Sequence, residues 1–134
     1  MSEPAAVGAS GASAPDAPTR MMEVVYPQHL NHQGTLFGGE ALRMMDTAAF
    51  VAATRRARQT MVTVAVEKLT FEAPVHHGEV VEIDAVVIGS GRSSVTVEVE
   101  MHAEELLSGD RRRCGTGRFV LVAVDEHGRP VALS

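Results

Sequence analysis

The chain has 134 residues, 45% of them hydrophobic and 22% charged, with a formal net charge of −5. That length fits one compact domain and leaves no room for a second. The acidic balance excludes a duplex-binding role, because affinity for phosphate backbones needs a basic field, so any phosphate this chain meets must be held locally.

Residues 1–20, MSEPAAVGASGASAPDAPTR, are rich in Ala, Ser, Gly and Pro and lack both a basic start and a continuous apolar run. No export signal is evident, and the segment is expected to be a mobile tail that buries too little apolar surface to offset the entropy of ordering. The domain is expected to occupy residues 21–134. No apolar run approaches the roughly 18 residues needed to cross a bilayer. With no tryptophan, one tyrosine and four phenylalanines, the core must be built from Val, Ala, Leu and Met, and a subunit interface would add burial. The single cysteine, Cys114, forms no internal disulfide and fits a reducing compartment such as the cytoplasm.

Met21 to Tyr26 (MMEVVY) reads as a short strand that Pro27 ends, since proline cannot donate to a ladder. The loop HLNHQGTLFGG follows, and after Gly39 the pattern turns helical to about Arg58. Leu42, Met45, Ala49, Phe50 and Ala53 recur at helical spacing as one apolar stripe, and Asp46 falls on it. Beyond Gln59 the chain reads as four strands: MVTVAVEKLTFEAPV, EVVEIDAVVIGSG, SSVTVEVEMHAEELL and GRFVLVAVD. Between Ser94 and Glu104 the alternation is clean, with Val95, Val97, Val99, Met101 and Ala103 on one face. Strand, helix and four strands predict an α+β fold, an antiparallel sheet covering one helix, since connections as short as HHGE and GSGR cannot make parallel crossovers.

Asp46 is the residue that most needs explaining. A carboxylate on an apolar stripe is costly unless it is hydrogen-bonded or faces a wet cleft, so it either bonds a strand, pairs with an arginine or does chemistry. Gly38 and Gly39 stand where the helix starts. There the backbone can approach a ligand, and free N–H groups can face a developing negative charge, although such a pair also serves as a tight turn. Thr63, on the strand after the helix, is placed to reach Asp46. Six histidines, including His29, His32 and the pair His76-His77, carry no metal-ligand spacing, so no metal is expected.

The segments HLNHQGTLFGGEALRMMD, VTVAVEKLTFEAPVHHGEVV, GRSSVTVEV and FVLVAVDEHGRPVAL, in this order, resemble the YciA-like acyl-CoA thioesterases and the related eukaryotic cytosolic acyl-CoA hydrolases. The resemblance covers about Val24 to Leu133; one departure is Glu79, where the family often has Asp. It implies a hotdog fold, one long central helix wrapped by a five- to six-stranded antiparallel sheet. Two subunits would pair edge to edge with active sites between them, and such dimers would assemble further into tetramers or hexamers.

By the same resemblance, Asp46 of one subunit and Asn31 of another would converge on the thioester of acyl-CoA, with backbone N–H groups around Gly38 and Gly39 polarising its carbonyl. Asp46 would serve as general base or as nucleophile. Gly91, Arg92, Ser93 and Ser94 would run along the CoA pantetheine and phosphates, although alone they read as a hairpin turn. Lys68 and the run Arg111, Arg112 and Arg113 are further cationic options, while a charge run is usually a solvated loop. No cofactor is implied, CoA being part of the substrate, and neither nucleic acid nor membrane insertion is expected. Met44, Met45 and Phe50 are candidates to line the acyl site. Two other functions fit the same outline: a catalytically silent acyl-CoA-binding module, and a hotdog dehydratase or hydratase using His29 or His32.

Overall fold

The computed structural model describes residues 17–134. Most of the expected tail, residues 1–16, lies outside them. Thr19 and Arg20 belong to the first strand rather than to the tail. The elements are β1 (Thr19–Val24), a 3-10 turn (Pro27–His29), helix α1 (Gly38–Ala57), β2 (Met61–Phe71), β3 (Val80–Ser90), β4 (Ser94–Glu104) and β5 (Arg111–Ala123).

The five strands form one sheet in the order β1-β3-β4-β5-β2, and every neighbouring pair is antiparallel. The GSGR segment closes a β3–β4 hairpin as its length demands. HHGE does not close one, because β2 and β3 are not neighbours. The connection from Glu72 to Glu79 crosses β5 and β4 to reach β3. Eight extended residues reach roughly 26 Å, ample for three inter-strand spacings of about 4.8 Å each.

The sheet wraps α1 with one apolar face. Val95, Val97, Val99, Met101 and Ala103 of β4 are all 0–1% exposed, as their alternation predicts, and Val81, Ile83 and Ala85 of β3 continue the same surface. The helix meets it with Ala41, Met44, Met45, Ala48, Ala49, Ala52 and Ala53. Five alanines in that set let the helix lie close against the strands, and Met44 and Met45 fill the remaining space.

This face is rotated from the expected stripe. Leu42 is only partly buried and Phe50 is 46% exposed, so with Asp46 they form a flank beside the core rather than its centre. Ala41, Ala48 and Ala52 are buried while contributing little hydrophobic contrast, so the apolar stripe alone does not mark the buried face. Met44 and Met45 are likewise core residues and line no described cleft.

Strand β5 begins at Arg111, six residues before the expected GRFVLVAVD, and the three arginines are ladder residues rather than a solvated loop. Each has a carboxylate partner: Arg111 with Glu82, Arg112 with Glu79 and Arg113 with Glu72. The Arg112–Glu79 pair is bidentate and largely buried at the carboxylate, with contacts of 2.8 and 2.7 Å. Glu79 also accepts the His76 N–H at 2.7 Å, while Arg112 donates to the Pro74 carbonyl, so the pair fastens the β2–β3 crossing to the sheet. Glutamate at position 79 is thus accommodated by an arginine able to reach it.

Strand β2 departs from simple alternation twice. Its register against β5 shifts between Thr63 and Ala65 and again between Glu67 and Thr70. The first bulge leaves Thr63 opposite Leu121 and Val66 opposite Phe119, both core-facing partners, so Thr63 and Val66 present the same side of the strand to α1 although they are three residues apart. A bulge re-aims side chains in this way. The second contains Lys68, held at φ 53.

Candidate active site

Asp46 projects from α1 toward β2, and Thr63 Oγ1 donates to its Oδ1 at 2.7 Å. Gly39, Leu42, Arg43, Asp46, Thr63 and Val66 line an open cleft of about 350 Å³ between helix and strand. Only one carboxylate oxygen has a partner among the described residues, which leaves Oδ2 available to the cleft.

Gly38 and Gly39 begin the helix, and their N–H groups have no acceptor among the described residues. The next two, of Glu40 and Ala41, both turn to the Phe37 carbonyl, at 2.9 and 3.0 Å. No side chain caps this end, so the helix presents two free donors and the positive end of its dipole. Neither glycine has a positive φ, so neither is required here by a left-handed backbone. Proximity explains the missing side chain at Gly39 alone: a Cβ there would stand 2.8 Å from the Phe37 ring, whereas one on Gly38 would make an ordinary 3.5 Å contact with Phe71.

Arg43, one turn before Asp46, is the cleft residue that the sequence reading passed over. It donates to Glu40 at 2.9 Å and to Glu23 at 3.1 Å, and hydrogen bonding to Glu40, then to Glu23, raises its pKa. The Glu40–Arg43 spacing of three on a helix was the available signal. With two carboxylates of its own, Arg43 forms no ion pair to Asp46 among the described residues.

The other expected residues lie elsewhere on the chain. Asn31 forms an Asx turn, its Oδ1 accepting from Gln33 N at 2.8 Å and Thr35 N at 3.1 Å, and its amide nitrogen has no partner among the described residues. It does not line the Asp46 cleft of its own chain. Gly91, Arg92, Ser93 and Ser94 make the β3–β4 turn, closed by Gly91 N to Ser94 O at 2.9 Å. The C-terminal segment pins this turn through Leu133 N to Arg92 O at 2.8 Å. Arg92 and Lys68 are exposed and have no carboxylate partner among the described residues, unlike the arginines of β5.

No histidine lines the cleft. His29 Nδ1 accepts the Tyr26 N–H at 3.0 Å, and His76 stands 3.5 Å from Glu79. Cys114 is buried in the sheet, its Sγ 3.4 Å from the Met101 carbonyl, and burial pushes its thiol up to about 11.

Comparison with known proteins agrees with this architecture. The thioesterase superfamily model matches residues 33–109, from the Asx-turn loop through most of the β4–β5 connection. The acyl-CoA thioester hydrolase YciA of Escherichia coli is 36% identical over 110 residues, covering 80% of this chain and 83% of that protein. The uncharacterised acyl-CoA thioester hydrolase YkhA of Bacillus subtilis is 33% identical over 107 residues; the match covers 80% of this chain but 62% of that relative. Among solved structures, an apo-hexameric acyl-CoA thioesterase superposes with a TM-score of 0.83 at 33% identity, covering 87% of this chain and 74% of the other. A helix enclosed by an antiparallel sheet is the hotdog fold, and the chain belongs to the thioesterase superfamily, among the YciA-like acyl-CoA thioester hydrolases.

Proposed function

We propose that this protein hydrolyses acyl-CoA to a free carboxylic acid and CoA, with Asp46 as the catalytic carboxylate. The observation that carries the reading is the pairing of one ordered carboxylate, Asp46 held by Thr63, with the two free N–H groups at Gly38 and Gly39, two turns earlier on the same helix. A thioester carbonyl oxygen at those donors gains stabilisation as it becomes a tetrahedral oxyanion, a gain larger in the transition state than in the ground state. Asp46 Oδ2 takes the proton of a water attacking the carbonyl carbon, and collapse of the intermediate expels CoA as its thiolate. A thiol of pKa about 8.5 is a competent leaving group and needs no strong acid.

Asn31 comes from a second subunit in this account, its free amide nitrogen orienting the water or the carbonyl. Strand β2 supports pairing of copies: it is an open sheet edge bearing exposed Val62 and Val64, beside the exposed Phe50 of α1. An uncovered apolar edge is a ready surface for pairing with another strand. Arg92 and Lys68 serve the CoA phosphates, and the reaction requires no separate cofactor. The free, buried Cys114 fits action in the cytoplasm. Among the described residues, no helix is long and apolar enough to cross a membrane.

The test is thiol release from a series of acyl-CoAs, acetyl to palmitoyl. Turnover is expected on at least part of the series, whereas CoA binding without turnover on any member would leave a silent binding module as the better description. Single-turnover hydrolysis in oxygen-18 water separates the two roles of Asp46. Label enters the acid product directly if Asp46 is a general base, and enters the Asp46 carboxylate first if Asp46 forms an anhydride.

A further inference from the structure

Gly38 and Gly39 are adjacent in sequence but border different hollows. Gly39 lines the Asp46 cleft, while Gly38 lines a second cavity of about 290 Å³ with Leu36, Ala41, Phe71, Ala73, Met101 and Cys114, its one charged wall residue being Glu72, which is paired with Arg113. The walls of this second cavity are mostly aliphatic and aromatic carbon. A carbonyl oxygen received by the Gly38–Gly39 donors therefore has Asp46 on one side and an apolar chamber on the other. A thioester has the same polarity, with the attacking water on one side of the carbonyl and the alkyl substituent leading away from it.

We infer that this chamber receives the acyl chain of the substrate, with Cys114 and Met101 as its floor, and that its depth sets a medium-chain preference. The inference rests on the thioesterase reading and adds the chain-length class to it. A methylene occupies about the 30 Å³ of a liquid water, so 290 Å³ holds on the order of nine of them. Catalytic efficiency then climbs with chain length to about C8 to C10 and stops climbing there, with up to about fourfold per methylene on the rising side. Cys114 is compatible with such a position: its thiol is held protonated by burial and engaged with the Met101 carbonyl, so it does not compete as a nucleophile for the thioester passing above it. Phe71, 49% exposed and in contact distance of the Gly38 position, stands at the entrance.

The experiment measures kcat/KM over the acyl-CoA series for the wild-type oligomer, for Cys114→Leu, which raises the floor, and for Ala73→Leu, which fills the chamber from a half-buried wall and spares the core. The ratio of octanoyl-CoA to acetyl-CoA efficiency is expected to fall at least tenfold in both variants, and Cys114→Ala is expected to move the optimum toward longer chains. Hydrolysis with the same chain-length profile in wild type and in a folded Ala73→Leu variant would overturn the chamber assignment and leave the thioesterase reading intact, the cavity then being filled by a side chain of a second copy. Absence of turnover by wild type on every member would overturn both.

Discussion

Thr63 and Asp46 join strand β2 to helix α1 through a 2.7 Å hydrogen bond, the one described side-chain contact that fixes the carboxylate at the centre of the candidate site. It orients the carboxylate and occupies a single oxygen, leaving the other open to the cleft. Hydrogen bonds to a charged group contribute roughly 1.5–3 kcal/mol, and Thr63→Val should therefore lower kcat by about 10- to 100-fold with little change in KM. Thr63→Ser, which restores the hydroxyl, should recover most of that loss in the same steady-state assay; a valine variant with wild-type kcat would show that the bond only secures the fold.

Gly39→Ala tests the helix N-terminus. The new methyl group meets the Phe37 ring at 2.8 Å, so either the ring or the first turn must move. Displacing the donors by a fraction of an ångström should reduce kcat by about 10- to 100-fold. Removing the obstacle in a Gly39→Ala, Phe37→Ala double variant should restore activity toward that of Phe37→Ala alone, a coupling that a double-mutant cycle in kcat/KM measures directly.

Glu79 makes the fold acid-sensitive in a defined window. Hydrogen bonding to Arg112 holds its carboxyl at about 2, against the usual 4.5. The depressed pKa contributes stability above pH 4.5, and that contribution is lost as pH falls from 4.5 toward 2. Allowing for solvent around Arg112, it amounts to about 2 kcal/mol. Glu79→Gln should lower Tm at pH 7 and flatten its decline between pH 4.5 and 3, as followed by thermal denaturation; a parallel decline in wild type and variant would remove the pair from the acid response.

Arg92 and Arg112 should behave differently. Arg92, exposed and without a carboxylate partner among the described residues, is expected to contact CoA phosphate, so Arg92→Ala should raise KM about 3- to 10-fold, with the effect shrinking at high salt and kcat unchanged. Arg112 is committed to Glu79 and the Pro74 carbonyl. Arg112→Met should lower Tm instead.

The parts of this structure that sequence revealed were those governed by local periodicity. Val95 to Ala103 alternate so regularly that the buried face of β4 could be named residue by residue, and the glycine pair marked the start of the helix to within two residues, since the helix takes in both glycines. Long-range pairing was not accessible. Nothing near Arg111 says that Glu82, Glu79 and Glu72 wait on other strands, so three ladder residues looked like a solvated loop. The bulge that turns Thr63 and Val66 to the same side depends on β5 opposite them, which local alternation does not encode. Asp46 stands out as a charge within an apolar pattern, but its place on a flank of the helix beside the core is set by the buried alanines, which add little to that pattern.

The central claim is that Asp46 carries the hydrolysis. Its most direct test is steady-state thiol release from acyl-CoA by Asp46→Asn, a near-isosteric change that keeps a hydrogen-bond acceptor for Thr63 and removes the base or nucleophile. The account predicts a loss in kcat of at least about a thousandfold, with CoA affinity within a few-fold of wild type. An asparagine variant that turns over within about tenfold of wild type would contradict it, leaving the carboxylate a structural partner of Thr63 and the chemistry to another group.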